Sequence, residues 1–376
     1  MKISVVIPAL NEEDVIESTI NEIPIKELRD IGFDVEIIVV DNNSTDNTAD
    51  IVRKVGAKVV REPEKGYGNA YLRGLNESTG DIIVMGDADG TYPFKEIPKF
   101  VRKITEEGAD FVMGSRLKGK IHEGAMRPLH RYIGNPLLTG ILNLLFRAGI
   151  SDAHCGMRAF TREALKKMNL KTEGMEFASE MVIEASRKKL NIKEIPIDYF
   201  PRKGGEAKLH SFQDGWRHLR FMILYKPIIF LLSPGLLLFL LGVTLMVSLL
   251  LQGPVHRLHS LIFGGFMTII SLQVVSTGIY LKVYGVIHGV GDKKGLTSKF
   301  LNYHSLEIEL FLGILLFLGG LILGLDVLYA WASTGFGSLS EVETAVISLV
   351  MASVGLQIIF LALFISVLLL NWDVRE

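Results

Sequence analysis

Four apolar stretches fill the second half of this chain, near residues 228–251, 259–287, 307–331 and 345–371. Each is long enough to cross a hydrocarbon core about 30 Å thick. Buried core helices of that length and apolarity are rare in soluble proteins, so the segment from 227 to 376 is expected to be a four-helix membrane domain. Nothing comparable occurs before Lys226. The first half mixes polar and apolar residues as a globular domain does. With 376 residues the chain has room for both parts.

The connections between the stretches suggest an orientation. Arg217, Arg220 and Lys226 precede the first span, and Lys282, Lys293, Lys294 and Lys299 lie in or beside the second connection. Arg375 follows the last span. The first connection carries only Arg257, and the third, around 332–344, has no Lys or Arg. Cationic residues concentrate on the cytoplasmic side of a membrane. The N-terminal domain, the second connection and the C-terminus are therefore expected in the cytoplasm, on a multi-pass protein of the cell membrane.

Two segments have an interfacial character. Within 211–226, Phe212, Trp216, Leu219 and Ile223 fall on one helical stripe beside Arg217, Arg220 and Lys226, the pattern of a helix lying on a membrane surface. Residues 137–146 are apolar but too short to span. They fit a core helix or a second surface helix equally.

The net charge of −1 gives no field directed at nucleic acid. A single cysteine, Cys155, excludes an intrachain disulfide and fits a reducing compartment. The N-terminal apolar run is too short for a signal peptide and stops at Pro8. It reads instead as a first strand. Strands are expected at 2–7, 35–40, 57–61, 81–86 and 110–114, and helices at 12–22, 46–55, 67–78 and 94–107. That alternation predicts an α/β domain with a mainly parallel sheet covered by helices, spanning 1–210. Asn11, and Ser44-Thr45-Asp46, read as helix starts.

The chemistry concentrates at strand ends. The run Ile82-Ile83-Val84-Met85-Gly86 ends in Asp87-Ala88-Asp89-Gly90. Two carboxylates one residue apart suit a hard divalent cation, and such cations hold diphosphates. Upstream, Glu36-Ile37-Ile38-Val39-Val40 runs into Asp41. Two strands ending in acids at one sheet edge describe a nucleotide cleft. Asp41 can accept from a base N–H, and the following helix start favours phosphate, although Ser44 and Asp46 also fit plain capping. The glycine-rich Lys65-Gly66-Tyr67-Gly68 reads as a backbone approach to a nucleotide or a simple turn. Arg116, Arg131, Arg202 and Lys208 offer cations suited to phosphate oxygens, and each also fits a solvated surface. Asp152-Ala153-His154-Cys155-Gly156 groups acid, imidazole and thiol without the spacing of a zinc site. Glu176 and Glu180, at helical spacing, fit an exposed face or a cleft.

Taken together these residues resemble the family 2 glycosyltransferases with a GT-A fold, and among them the polyprenyl-phosphate (dolichol-phosphate) hexose synthases. The resemblance runs in order through Val5-Val6-Ile7-Pro8, Asn11-Glu12, Asp41 with Ser44 and Asp46, Lys65-Gly66, Arg73-Gly74, Gly80-Asp81 and Asp87-Ala88-Asp89. It continues through Gly114-Ser115-Arg116, Asp152 with Gly156, and Gly204, Glu206, Lys208 and Leu209. It covers residues 1 to about 220 and leaves the four spans outside.

The resemblance implies transfer of one hexose from a UDP- or GDP-linked sugar to a polyprenyl phosphate, with inversion and with Mg2+ or Mn2+. Pro8, Glu12, Asp41, Lys65 and Asp87 would hold the nucleotide, and Asp87 and Asp89 the metal. Arg116, Arg131, Arg202 and Lys208 would face the acceptor phosphate. Asp89, Asp152 and Arg116 would stand at the reacting centre. Two departures concern the donor and the metal shell. Asn42 stands where an acid often follows the position of Asp41, and Thr91 stands where mannosyl-type relatives carry Gln. The Gln-x-x-Arg-Trp motif of processive synthases is missing, and Gln213-Asp214-Gly215-Trp216-Arg217 resembles it only superficially. A glycolipid or polysaccharide hydroxyl acceptor would need a base, for which Glu180 and Asp152 are the candidates. A non-catalytic lipid transporter is the third reading, opposed by the intact acid pair. Monomer and oligomer are both compatible with the sequence.

Overall fold

The computed structural model describes residues 1–204, 211–252, 257–290, 303–337 and 341–370, without the side chains of 211–212 and 303–305. The chain divides into two compact units, Met1–Phe221 and Met222–Glu376.

The first unit is built on a seven-stranded sheet. Its strands are β1 (Lys2–Ala9), β2 (Asp34–Asp41), β3 (Lys58–Arg61), β4 (Ile82–Met85), β5 (Phe111–Ser115), β6 (Arg158–Thr161) and β7 (Ile192–Pro196). Their spatial order is β3-β2-β1-β4-β6-β5-β7. All pairs are parallel except those of β6, which runs antiparallel to β4 and β5. The expected mainly parallel sheet is present, and all five expected strands fall in it.

The helices of this unit are α1 (Ile16–Asn21), α2 (Ile25–Asp30), α3 (Thr48–Lys54), α4 (Tyr67–Glu77), α5 (Ile97–Thr105), α6 (Asn135–Phe146), α7 (Arg162–Lys167), α8 (Phe177–Arg187) and the start of α9 (Ser211–Tyr225). Residues Ser4, Val5, Val6 and Ile7 of β1 are all fully buried, so both faces of the sheet are covered. On one face Ile3, Val5 and Ile7 join Ile16, Ile20, Phe100 and Val101 in the core. On the other, α4 comes close through Gly74, where a Cβ would lie 2.5 Å from Val6 Cγ1.

Three local expectations need correction. The first helix begins at Ile16, not residue 12. Asn11 does not cap it. Its backbone is left-handed (φ 52°), and its Oδ1 accepts from Thr45 N at 2.8 Å, tying two loops together. Ser44 is likewise no cap: its hydroxyl accepts from Asn11 N, whereas Asp46 does receive Thr48 N at the start of α3. Strand β6 was not anticipated because Arg158, a charged residue, is fully buried within it.

Helix α6 is neither a pure core helix nor a free one. Thr139, Leu142 and Leu145 are buried, while Leu137 and Leu144, with Leu129, Tyr132 and Ile133 just before, are exposed. A π-helical turn, His130–Gly134, leads into it. On α9, Trp216 of the expected surface stripe is exposed, and His218 is buried.

The second unit holds four helices long and apolar enough to cross a membrane: Ile228–Leu251, Leu258–Ile287, Leu306–Ser333 and Val342–Leu369. The first comprises a π-helical turn and α10 (Ser233–Leu251), and the second is α11. The third lies in α12 (Tyr303–Ser333) and the fourth is α13. Helices α12 and α13 meet through small residues. A Cβ on Gly320 would lie 2.5 Å from Ala352 N, and one on Gly355 would lie 2.4 Å from Phe317 N. Such close backbones are how apolar helices gain contact where lipid offers no hydrophobic drive.

Candidate active site

The carboxyl ends of β1, β2 and β4 lie side by side, with Ala9 opposite Asp41 and Val6 opposite Met85. Sheet neighbours on either side of β1 diverge there, which opens a crevice. A cavity of about 500 Å³ occupies it, wholly within the first unit.

Asp87 and Asp89 both line this cavity. Asp87 Oδ1 accepts from Tyr67 Oη at 3.1 Å and Tyr71 Oη at 3.2 Å. Burial first, and the Asp89 charge second, push its pKa up to about 7 against the pull of those hydroxyls. Gly156 lies so close that a Cβ there would come 2.7 Å from Asp87 Oδ2. Asp89 Oδ1 accepts from the amide and hydroxyl of Thr91, at 3.1 and 2.6 Å. Thr91 thus orients the second acid of the pair, a reason for its presence that the sequence did not offer.

Pro8, Glu12, Asn42, Lys65 and Gly66 also line the cavity. Asp41, expected to hold the nucleotide, is buried, does not line the cavity and accepts from Ser44 N at 3.0 Å. Its neighbour Asn42 reaches the wall itself. Asn42 donates to the carbonyls of Glu62 and Glu64 and accepts from Gly66 N at 2.9 Å, so it pins the glycine-rich turn. That turn serves packing. The amides of Gly68 and Asn69 are already donated to Glu173 O, and a Cβ on Gly68 would sit 2.0 Å from Thr172 O.

Arg116, at the end of β5, and Asp152 form a buried bidentate pair. Nε donates to Oδ2 at 2.7 Å and Nη2 to Oδ1 at 2.8 Å, and the Arg116 amide adds a third bond. Burial opposes the guanidinium's charge, but the Asp152 carboxylate, together with Tyr92 and Cys155, outweighs it and holds the pKa well above the ordinary value. The guanidinium also lies 5.1 Å from the centre of the Tyr199 ring.

The other expected cations are dispersed. Arg202 lines the cavity at the acid pair, donating to Asp89 Oδ2 at 3.1 Å and pairing with Glu12. Arg131 stacks over Tyr132, and Arg127 and His130 line the cavity from that segment. Lys208 lies outside the described residues.

Of the candidate bases, Glu180 is buried beneath the wall and accepts from the amides of Lys171 and Thr172 and the Thr172 hydroxyl. It shapes the loop that meets Gly68. Asp152 is spent on Arg116.

A cluster not found from sequence closes the cavity. His154 and His218 both line it, with Asp214 and Gly215 of α9. Their rings meet edge to face at 4.4 Å, and Ser179 Oγ lies 2.8 Å from His218 Nδ1 and 3.4 Å from His154 Nε2. Burial, followed by neighbouring positive charge, lowers both imidazole pKa values, to about 4 for His218. Only the fold brings α8, α9 and the 152–156 loop together.

Among the described residues no group of three His, Cys, Asp or Glu is arranged for a metal. The acid pair nonetheless fits a divalent cation. Its carboxylates are close enough for Asp89 to raise the pKa of Asp87. Two protein oxygens leave the remaining positions of a hard cation for diphosphate and water, as Mg2+ sites do.

Comparison with known proteins shows the family. Residues 4–168 match the glycosyl transferase family 2 domain, and residues 279–369 match the glycosyltransferase family 2 C-terminal transmembrane region. A low-salt glycan biosynthesis hexosyltransferase of Haloferax volcanii is 42% identical over 95% of this chain and 87% of its own length. A UDP-N-acetylglucosamine–dolichyl-phosphate N-acetylglucosaminyltransferase of Methanococcus voltae is 34% identical over 52% of this chain and 84% of its own. A crystal structure of glucosyl-3-phosphoglycerate synthase from Mycobacterium tuberculosis, with Mn2+ and UDP, is 28% identical, covering 59% of this chain and 78% of that one, with a TM-score of 0.48.

Proposed function

This chain belongs to the family 2 glycosyltransferases, and on that premise we propose that it transfers one hexose from a nucleotide-sugar to a polyprenyl phosphate at the cytoplasmic face of the cell membrane. The observation that carries this reading is one cavity lined both by the acid pair and by Arg127 and His130. The first suits a cation-bound diphosphate, and the second suits an acceptor anion. The exposed apolar side of α6 and the residues before it would then rest at the lipid surface from which that anion rises. The dolichyl-phosphate acceptor and UDP donor named for the Methanococcus voltae enzyme support the same assignment.

A phosphate oxygen of the acceptor would attack the anomeric carbon as the bond to the donor diphosphate breaks. An acceptor phosphate is largely ionised near neutral pH, so positioning matters more than proton removal. Pro8, Glu12, Asn42 and Lys65 would hold the nucleotide. Arg116, aligned by Asp152, would lower the energy of charge gathering on the phosphates. Mg2+ or Mn2+ at Asp87 and Asp89 would supply charge neutralisation of the leaving diphosphate. A hydroxyl acceptor needs a base, and the engagement of Asp152 and Glu180 with protein donors speaks against one.

The test is incubation of the full-length protein with a panel of UDP- and GDP-sugars and polyprenyl phosphate, followed by mass spectrometry of the lipid. A gain of one hexose or N-acetylhexosamine is expected, and Asp89→Ala should abolish it. Sugar appearing only on hydroxyl acceptors would overturn the reading. For topology, an impermeant thiol reagent applied to intact cells should miss a cysteine placed at Lys294 and label one placed at Ser338.

A further inference from the structure

We propose that His154 contacts the transferred sugar and helps decide which hexose is accepted. The inference rests on the donor half of the function proposed above and is independent of the acceptor.

The position comes from the loop that carries it. Its first residue, Asp152, is clamped on Arg116. Its last, Gly156, is packed against Asp87. His154 is midway and lines the cavity. A sugar attached to a diphosphate at the acid pair would lie within reach of this loop.

The chemistry comes from what the neighbouring groups already do. Asn42, Tyr67, Asp89, Arg116 and Arg202 all line the cavity and all have protein partners. Lys65 and Arg127 carry charge, which suits phosphate. A hexose instead presents neutral hydroxyls that both donate and accept. Burial first, and then the neighbouring His218, Arg116 and Arg158, push the pKa of His154 well below its ordinary value. Its Nδ1 is buried with no hydrogen-bond partner among the described residues. A polar atom left so costs the fold free energy, which a small shift of the ring toward a sugar hydroxyl in the cavity would restore.

Ser179 and His218 are the positioning residues. The Ser179 hydroxyl has one proton to share between His218 Nδ1 and His154 Nε2. Whichever way it points, Nε2 of His154 is committed to that side and Nδ1 is the uncommitted pole. The His218 ring lies edge to face against the imidazole at 4.4 Å.

The test is calorimetric titration of the full-length protein in detergent with Mn2+, comparing UDP with UDP-glucose and UDP-N-acetylglucosamine, and GDP with GDP-mannose. His154→Ala should weaken the preferred nucleotide-sugar roughly tenfold, the effect of one lost hydrogen bond with its partner left bare. Binding of the bare diphosphate should stay within about twofold. His154→Asn, which keeps a neutral donor and acceptor, should recover part of the loss. Equal weakening of diphosphate and nucleotide-sugar in both variants overturns the proposal, and so does an unchanged sugar affinity in both. Loss of lipid product in the acceptor assay, with a sugar affinity that still depends on His154, would reject the acceptor reading alone.

Discussion

The guanidinium of Arg202 donates to Asp89 Oδ2 at 3.1 Å. It thereby places a positive charge on an acid proposed to hold a divalent cation, and pairs with Glu12 on its other side. The two cations compete for one carboxylate. Arg202→Ala should therefore tighten Mn2+ binding even as it lowers turnover. Two unit charges at about 4 Å exchange roughly 4 kcal/mol at the effective dielectric of a protein surface. A third of that, allowing for solvent screening, is about tenfold in affinity. Electron paramagnetic titration of free Mn2+ measures it. Weaker binding in the variant would mean that Arg202 supports the cation rather than displacing it.

Asp152 offers a sharper choice between positioning and proton transfer. Three bonds tie it to Arg116 in a buried site. Removing the carboxylate leaves an unpaired buried guanidinium, at a cost of about 3–5 kcal/mol. Asp152→Ala should lower the melting temperature markedly, and Arg116→Met added to it should recover much of the loss. Asp152→Asn should reduce turnover without removing a limb of the pH–rate profile. A lost acidic limb with unchanged stability would make Asp152 a base after all.

The five strands that positioned the acid pair were legible because they are short apolar runs ending in polar residues. The acid pair itself was legible because Asp87 and Asp89 are adjacent in sequence. What escaped were contacts between distant segments. Arg158 reads as a surface residue, yet it is buried against the carbonyls of Ala153, Cys155 and Ala178, which hides β6 from any apolar pattern. His218 lies in the segment expected as a surface helix, and only the fold turns it onto Ser179. The glycines at 66 and 68 read as a backbone approach to a nucleotide or as a simple turn. The approaching partner is the 172–173 segment, over 100 residues away, and spacing carries no trace of it.

The His218 pair should make stability depend on pH in a defined window. Burial, then the charges of Arg158 and Arg217, push its pKa down from 6.5 to about 4. Ser179, His154 and those two arginines are the groups that bear on it. Above pH 6.5 the ring is neutral in both states and the fold loses nothing. As pH falls from about 6.5 toward 4, the unfolded ring takes up a proton that the folded one refuses, so stability declines. The full effect is on the order of 3 kcal/mol. His218→Asn should flatten the decline when melting temperatures are compared between pH 8 and 5. Parallel curves for the two proteins would remove the ring from the linkage.

Two glycines separate damage to the site from damage to the fold. At Gly68 a Cβ would meet backbone, Thr172 O at 2.0 Å, and neither segment can yield without losing the Gly68–Glu173 hydrogen bond. Gly68→Ala should cost about 1–3 kcal/mol of stability, as overpacking does, and lower activity in proportion to the folded protein lost. At Gly156 the new methyl would instead meet a side chain, Asp87 Oδ2 at 2.7 Å, with Tyr92 at 3.1 Å beyond. Asp87 can turn, but its other oxygen is held by Tyr67 and Tyr71, so turning moves the acid off its place. Gly156→Ala should melt near the wild-type temperature yet need a higher Mn2+ concentration for half-maximal turnover, roughly tenfold higher if one charge-assisted contact is weakened. Titrating Mn2+ against turnover in both variants, beside their melting curves, decides it. An unaltered Mn2+ requirement in Gly156→Ala would mean that Asp87 does not hold the cation through Oδ2.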